Sequence, residues 1–240
     1  MSVATELTKL NTNIKNAYDE IATKGGTIPQ NKNTDNLATA ISSISGGGGG
    51  ADDYFYTNNT NNMLRDMIKK VPDITTTATS LNFGYFSNLL EVGNITALNC
   101  TSLSSSFSNC SKLTTFGTFN FGAITTTESC FSYCTSLETA PFIDTSKATN
   151  FTYMFNACSN LKNVPVYDWS SATSLTYVFN QCTQLNDQAL DNILQSCISA
   201  TSYTGNKYMR AAPGIPWSIS SSRVTACPHW QQASALGWSI

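Results

Sequence analysis

The chain has 240 residues and a net charge of −2, and 12% of its residues are charged, about half of the roughly 25% usual for soluble domains. This charge composition gives no basic patch for nucleic acid. Hydrophobic residues make up 41% of the chain, which is enough for a core. The first residues, MSVATELTKLNTNIKN, lack the apolar segment of a signal peptide, and no run approaches the roughly 18 apolar residues of a membrane helix. We therefore expect a protein made in the cytoplasm, without membrane insertion and with reduced cysteines.

The N-terminal segment, residues 1–45, has the spacing of two amphipathic helices. Its apolar seam recurs at intervals of 3 and 4 residues and consists of Leu7, Leu10, Ile14, Ala17 and Ile21. Such spacing over about three heptads is typical of a coiled-coil seam. Because two short helices make a poor core of their own, the segment is either an intrachain hairpin or a module that docks on a partner or on further copies of the chain. A homo-oligomer, with a trimer as one option, follows from the second reading.

Residues 46–52 form a glycine-rich linker. Five consecutive glycines, Gly46 to Gly50, favour neither helix nor strand. A phosphate-binding loop would need a strand before it and a lysine-bearing helix start after it, and the sequence has neither. We expect a flexible joint here.

The centre of the chain repeats with a period of 24 residues. Copies of F-x-x-C-x-x-L begin at Phe107, Phe131, Phe155 and Phe179. The cysteine column is Cys110, Cys134, Cys158 and Cys182. An earlier copy, FGYFSNL, carries Phe86 in that column. A threonine column runs through Thr77, Thr101, Thr125, Thr149 and Thr173.

A period of this length with leucine columns is typical of leucine-rich-repeat solenoids. We predict an α/β solenoid, a right-handed coil of short parallel strands, with five repeats over residues 81–185. Each F-x-x-C-x-x-L segment suits one face of a helical turn. Residues 53–80 would cap the N-terminal end, with a helix over 61–74.

Residues 186–240 would cap the C-terminal end of the solenoid. A helix over 185–199 would begin at Asn186 or Asp187 and bury Leu190, Ile193, Leu194 and Cys197. The tail would close the cap with Val224, Cys227, Trp230, Leu236 and Trp238.

Residues 75–185 resemble the BspA-type surface leucine-rich repeats, whose pattern runs D-T-S-x-V-T-N-M-x-x-M-F-x-x-C-x-x-L. The clearest copy is carried by Asp144, Thr145, Ser146, Ala148, Thr149, Asn150, Met154, Phe155, Cys158 and Leu161. The copy at 119–137 has lost Asp-Thr-Ser. The resemblance implies a parallel-strand solenoid that acts in recognition rather than catalysis.

Residues 13–44, with the glycines that follow, are similar to N-terminal modules of structural proteins in phages and prophages of Gram-positive bacteria. The resemblance covers this module alone. It implies a virion protein that is released by host lysis, for which no secretion signal is needed.

The cysteine column favours a structural role over chemistry. Zinc prefers tight cysteine pairs or cysteine with histidine, and the chain has one histidine, His229. Stacked equivalents have parallel Cβ vectors, which disfavours disulfides. Phe86 occupies the same column in the earlier copy, and a phenylalanine can take over the packing of a cysteine but not the chemistry of a thiolate. We therefore predict a buried core ladder of free cysteines. We predict no metal site, no cofactor and no catalytic residue.

Two acids, Asp144 and Asp168, lie one period apart. Paired acids could hydrolyse glycans, but aspartates at turns more commonly bond their own backbone. We favour the turn interpretation.

An outward column is the predicted binding face. After each leucine the chain is expected to alternate, with Ala140, Phe142, Val164 and Val166 inward. The outward set would then be Ile95, Phe119, Ile143 and Tyr167, joined two residues on by Phe121, Thr145 and Trp169. The alternative is that turn geometry buries this column.

We therefore expect a non-enzymatic phage virion protein, part of a tail or head fibre, on the virion surface. Residues 1–45 would bind other virion proteins, and the repeats would bind a glycan or protein of the host cell surface. The alternatives are a structural or decoration protein whose repeats pack on other subunits, and a polysaccharide-degrading enzyme, which the lack of an acid, base or metal cluster disfavours.

Overall fold

The computed structural model describes residues 68–71 and 73–240, together with the isolated helical positions 15, 16, 18, 19 and 22. The predicted seam of Leu7, Leu10, Ile14, Ala17 and Ile21, and the linker 46–52, lie outside the described residues. Among the described residues, no helix is long and apolar enough to span a bilayer.

Short parallel strands join the first repeats. In the described part of the chain they are β1 (Lys70–Val71), β2 (Ile74–Thr75), β3 (Glu91–Val92), β4 (Ile95–Ala97), β5 (Thr115–Phe116) and β6 (Phe119–Phe121). They form two sheets, ordered β1-β3-β5 and β2-β4-β6. The predicted helix over 61–74 is wrong for its described part, because β1 and β2 pair there with β3 and β4.

Later repeats continue the stack through single bridges rather than strands. Thr126 pairs with Asn150, Asn150 with Ser174, and Thr139 with Asn163, each 24 residues apart. The first repeat is shorter, since Ile74 pairs with Ile95. In the threonine column, Thr125 N–H donates to the carbonyl of Thr101. Thr101 N–H in turn donates to the carbonyl of Thr79, and not to that of Thr77 as the period of 24 would require. Stacking of this kind is what the predicted solenoid requires; the solenoid, its handedness and its leucine-rich-repeat class stay predictions.

The F-x-x-C segments form ribbons of consecutive turns that bond to the next repeat, not the predicted helical turns. In 103–109, alternate N–H groups donate to carbonyls 23 residues further on, as Phe107 does to Cys130 at 2.8 Å. The N–H groups of Ser106, Ser108 and Cys110 donate to carbonyls three residues back, as Cys110 does to Phe107 at 3.2 Å. Ser105 and Asn109 have positive φ values of 56° and 62°. These left-handed residues turn the peptides towards the next repeat, so a helix cannot propagate.

The phenylalanine column forms the centre of the core. Neighbouring rings stack at centroid distances of 5.3 to 5.6 Å from Phe83 through to Phe179. Phe107, Phe131, Phe155 and Phe179 are fully buried. Offset aromatic pairs of this kind stabilise a core beyond the area they bury.

The cysteine column is buried beside these rings, as the core interpretation expects. Cys110, Cys134, Cys158 and Cys182 are free and buried. Each thiol donates to the carbonyl of the phenylalanine 27 residues earlier, at 3.0 to 3.1 Å. Burial raises the pKa of the Cys110 thiol to about 12, and the pKa values of Cys134 and Cys182 also lie well above the ordinary value.

One departure from the repeat pattern has a steric reason. At Gly122, in the copy that lacks Asp-Thr-Ser, an added Cβ would collide with the carbonyl oxygen of Leu98. The chain therefore approaches the preceding repeat more closely there than any side chain allows.

The C-terminal cap begins with α1 (Asp187–Ser199). The side chain of Asn186 accepts a hydrogen bond from Ala189 N–H at 2.8 Å, which is N-capping as predicted. The buried face carries Leu190, Ile193, Leu194 and Cys197, as predicted. Two short helices follow, α2 (Ser221–Thr225) and α3 (Trp230–Ala235).

The cap also closes the last ribbon. Tyr177 N–H donates to the carbonyl of Ala211 at 3.0 Å, and Phe179 N–H to that of Pro213 at 2.9 Å. These carbonyls occupy the place that a further repeat would take. Of the predicted tail residues, Val224, Cys227 and Trp238 are buried and Trp230 is partly buried, but Leu236 is 47% exposed. The tail prediction is therefore wrong for Leu236.

Candidate functional site

The predicted binding face lies inside the protein. Ile95, Ile143 and Tyr167 are at most 2% exposed, and Phe119 packs partly buried against the core. Phe119 stacks on Phe107 and Tyr167 on Phe155, each with a centroid distance of 6.0 Å. The outward prediction is wrong because this column packs directly on the phenylalanine ladder.

The positions two residues further along are also covered. Trp169 and Thr145 are at most 1% exposed, and Phe121 is partly buried. Trp169 packs edge-to-face on Phe151 at 5.9 Å, and the Thr145 hydroxyl donates to the carbonyl of Asp168 at 2.9 Å.

Strict alternation fails in these segments. Ala140 and Val164 are buried as predicted, but Phe142 is 68% exposed and Val166 38% exposed. Pro141 and Pro165 interrupt the strand pattern here, because proline lacks an N–H for a sheet ladder. The chain therefore turns its side chains without a period of two, and the inward face shifts after each proline.

Asp144 and Asp168 serve the turns. Asp144 Oδ1 accepts a hydrogen bond from Ser146 N–H at 3.0 Å, and Asp168 Oδ1 accepts one from Ser170 N–H at 2.8 Å. The bond from Ser146 lowers the pKa of the Asp144 carboxyl. Both residues follow the turn interpretation, since each carboxylate bonds the backbone N–H two residues further on. The lowered pKa also makes Asp144 a poor general acid at neutral pH.

His229 has a carboxylate partner but no activated nucleophile. The ring Nδ1 of His229 lies 2.8 Å from Asp191 Oδ2, and the backbone N–H of His229 donates to Asp191 Oδ1 at 3.0 Å. The nearby Cys227 thiol donates to the carbonyl of Arg223 at 3.3 Å. Desolvation raises the pKa of Cys227, the opposite of what a nucleophilic thiol needs. The bonds between His229 and Asp191 fasten α1 to the start of α3, and Arg223 of α2 donates to Asp187 of α1 at 2.6 Å.

Four exposed tyrosines project from the ribbons, and we call them the tyrosine ridge: Tyr85, Tyr133, Tyr153 and Tyr177. Each lies two residues from a ladder phenylalanine and is 39% to 55% exposed. All four have positive φ values, between 53° and 67°. Tyr153 and Tyr177 stack on each other at 5.8 Å. The left-handed turns thus point these rings away from the core.

A cleft of about 640 Å³ continues from the ridge into the cap. Tyr177 forms one wall, and Tyr208 and Trp217 lie on the cap side. Trp217 is 76% exposed. Gly214, with φ of 85°, allows the cap to approach, since an added Cβ would lie 2.8 Å from the Cα of Tyr177.

Arg210 is a charged residue of the cleft lining, and it organises the loop that carries Trp217. Its guanidinium donates to the carbonyls of Pro216 and Ile219 and to the hydroxyl of Ser221. The guanidinium carbon lies 5.1 Å from the ring centre of Trp217. The side chain is 8% exposed, and its Nε has no hydrogen-bond partner in the described structure. No carboxylate of the described residues lines the cleft.

The sequence reasoning did not find the tyrosine ridge or the cleft. A signal for the ridge is present in the repeated Tyr-x-Phe of 153–155 and 177–179. These tyrosines occupy variable positions of the repeat, where the pattern demands no particular residue. The cleft had no such signal, because it forms between the last repeat and a cap segment some 30 residues further along the chain.

Comparison with known proteins supports the repeat resemblance and reaches no further. A family model described as "Mycoplasma protein of unknown function, DUF285" matches residues 101–207, and that family is related to the BspA-like repeat proteins. No curated protein and no solved structure matches the chain. The matched residues contain all four copies of F-x-x-C-x-x-L and do not include residues 1–45. Residues 101–207 are therefore similar to a family of BspA-related repeat proteins.

Proposed function

We propose that the protein is a non-enzymatic recognition protein, held on a phage particle through residues 1–45, whose repeats bind the surface of a host cell. The observation that carries this proposal is the tyrosine ridge. Two of its members, Tyr153 and Tyr177, stack on each other and form an exposed aromatic pair. Exposed aromatic patches mark binding surfaces, and tyrosine is enriched in protein interfaces.

The backbone of the ridge strengthens the argument. The ribbon demands left-handed residues, and glycine or asparagine adopts that conformation at least cost. The chain instead places Tyr153 and Tyr177 there, each 39% exposed. Neither ring fills the core, and both remain exposed enough to contact a ligand.

The link to a phage particle rests on the sequence. Residues 13–44 resemble N-terminal modules of phage structural proteins, and the linker 46–52 would let the repeats reach away from the particle. In this arrangement other virion proteins bind the N-terminal module and a cell-surface glycan or protein binds the repeats.

A binding assay with the full chain tests the proposal. Fluorescently labelled protein is added to a panel of intact Gram-positive and Mycoplasma cells, and bound fluorescence is measured by flow cytometry. The double variant Tyr153→Ser/Tyr177→Ser is compared with Phe142→Ser/Val166→Ser, which removes two exposed apolar side chains that do not belong to the ridge.

We expect the ridge variant to lose at least tenfold in apparent affinity and the control variant less than twofold. Unfolding curves establish that both variants fold. Absence of binding to every cell type, or equal loss in both variants, would overturn the proposal. In that case, an imaged particle in which the ridge tyrosines contact other subunits would favour a decoration protein.

A further inference from the structure

We infer that the cleft between the last repeat and the cap binds a saccharide, with Trp217 as the platform on which a pyranose ring stacks. The inference rests on the proposed function and names the ligand class for one end of the ridge. It begins with an exposed tryptophan that the protein holds in place.

Trp217 is 76% exposed, yet two neighbours orient its ring. Tyr208 meets it edge-on at a centroid distance of 6.3 Å, and the guanidinium of Arg210 lies 5.1 Å from its centre. Arg210 also binds the carbonyls on both sides of the loop, at Pro216 and Ile219. The indole is therefore preorganised, which lowers the entropic cost of binding a ligand.

The polar groups of the cleft suit hydroxyl groups. Tyr177, Gln181, Thr183, Tyr208 and Ser218 line it, and their side chains have no hydrogen-bond partner within the described part of the chain. These hydroxyl and amide groups both donate and accept, as sugar hydroxyls do. Arg210 brings a positive charge to the lining, and the described lining residues include no carboxylate that would repel an acidic sugar.

The volume of the cleft, and the hydrogen bonds already made by the edge of the last ribbon, favour a saccharide over a peptide. Its volume of about 640 Å³ falls within the roughly 300–1,000 Å³ of small-ligand sites. An extended peptide commonly binds by adding a strand to an open edge. Here Tyr177 and Phe179 already donate their N–H groups to Ala211 and Pro213, so these donors of the last ribbon are taken.

The test uses the full chain on an array of neutral and acidic di- to hexasaccharides, followed by titration of the best ligand. Trp217→Ala should weaken that ligand at least tenfold, since stacking on an aromatic ring is lost. Trp217→Phe keeps a stacking surface and should retain most of the affinity. Phe142→Ala, an exposed aromatic elsewhere, should bind as the unmodified chain does.

Failure of this inference is distinguishable from failure of the proposed function. If the protein binds cells but no saccharide on the array, and protease treatment of the cells abolishes that binding, the ligand is a protein. This result would overturn the saccharide inference and leave the proposed recognition function intact. Equal saccharide binding by Trp217→Ala and Phe142→Ala overturns the site. Saccharide binding lost in Trp217→Ala, without binding to any cell, supports the cleft and overturns the cell-surface role.

Discussion

The thiol of Cys158 donates a hydrogen bond to the carbonyl oxygen of Phe131, 3.0 Å away in the preceding repeat. The same bond joins Cys134 to Phe107 and Cys182 to Phe155. A cysteine at this position is thus small enough to pack beside the phenylalanine ladder and also supplies a weak donor. Its recurrence reflects the stacking of repeats rather than chemistry at a site.

Cys158→Ala should lower the free energy of unfolding by about 1–3 kcal/mol, because it leaves a small cavity and removes the bond to Phe131. Urea unfolding measures the change. Ser159→Ala, exposed on the same turn, should change stability by less than about 0.5 kcal/mol. Equal effects of the two substitutions would contradict the ladder.

The buried thiols should make the protein less stable at high pH. In the unfolded chain they ionise near the ordinary value of 9.0, whereas burial raises the pKa of Cys110 to about 12. Between these values the unfolded state binds fewer protons, so the free energy of unfolding falls as pH rises, by about 1.4 kcal/mol per pH unit for each such thiol.

Urea unfolding at pH 8, 9.5 and 11 checks this decline. The same series on Cys110→Ala should fall less steeply above pH 9. A slope unchanged by the substitution would show that the Cys110 thiol does not contribute.

Phe131→Ala should cost about 3–5 kcal/mol, since Phe131 is fully buried between Phe107 and Phe155 and its loss leaves a large cavity. Phe142→Ala should cost less than about 0.5 kcal/mol, because Phe142 is 68% exposed. Thermal or urea unfolding of both variants measures the difference. A larger cost at Phe142 would restore the alternation predicted from the sequence.

The left-handed backbone of the ridge has its own signature. At Tyr153, with φ of 58°, glycine has no Cβ to clash and alanine does. Tyr153→Gly should therefore be more stable than Tyr153→Ala by about 1 kcal/mol. At Thr152, just before it and without positive φ, the order should reverse in Thr152→Gly and Thr152→Ala; the same order at both positions would argue against the ribbon geometry.

The repeat period, the buried cysteines and the cap helix with Asn186 follow from the sequence because each depends on local pattern. The buried faces of the segments after each leucine do not, since Pro141 and Pro165 remove the period of two on which the prediction relied. Tyr167 illustrates the result: its ring stacks on Phe155 and its hydroxyl donates to the carbonyl of Pro141 at 2.7 Å. Phe155 lies 12 residues earlier in the same repeat and Pro141 lies 26 residues earlier, in the preceding repeat. Alternation within one short segment reveals neither contact.

The ribbons were missed for a related reason. F-x-x-C-x-x-L has the spacing of a helical face, and nothing in it marks the left-handed residues, which are as different as Ser105, Tyr153 and Gln181. The conformation is imposed by hydrogen bonds to the next repeat, so it depends on stacking and not on local propensity. The exposed tyrosines became visible as a surface only once that backbone was known.

Hydroxyl-radical footprinting of the full chain, free and bound to the cells that it recognises, tests the central claim most directly. The account predicts that Tyr153, Tyr177 and Trp217 become protected on binding, while the exposed Phe142 keeps its reactivity. Protection of Phe142 with unchanged reactivity at the three aromatic residues would contradict it, because the recognition surface would then lie on another face of the repeats.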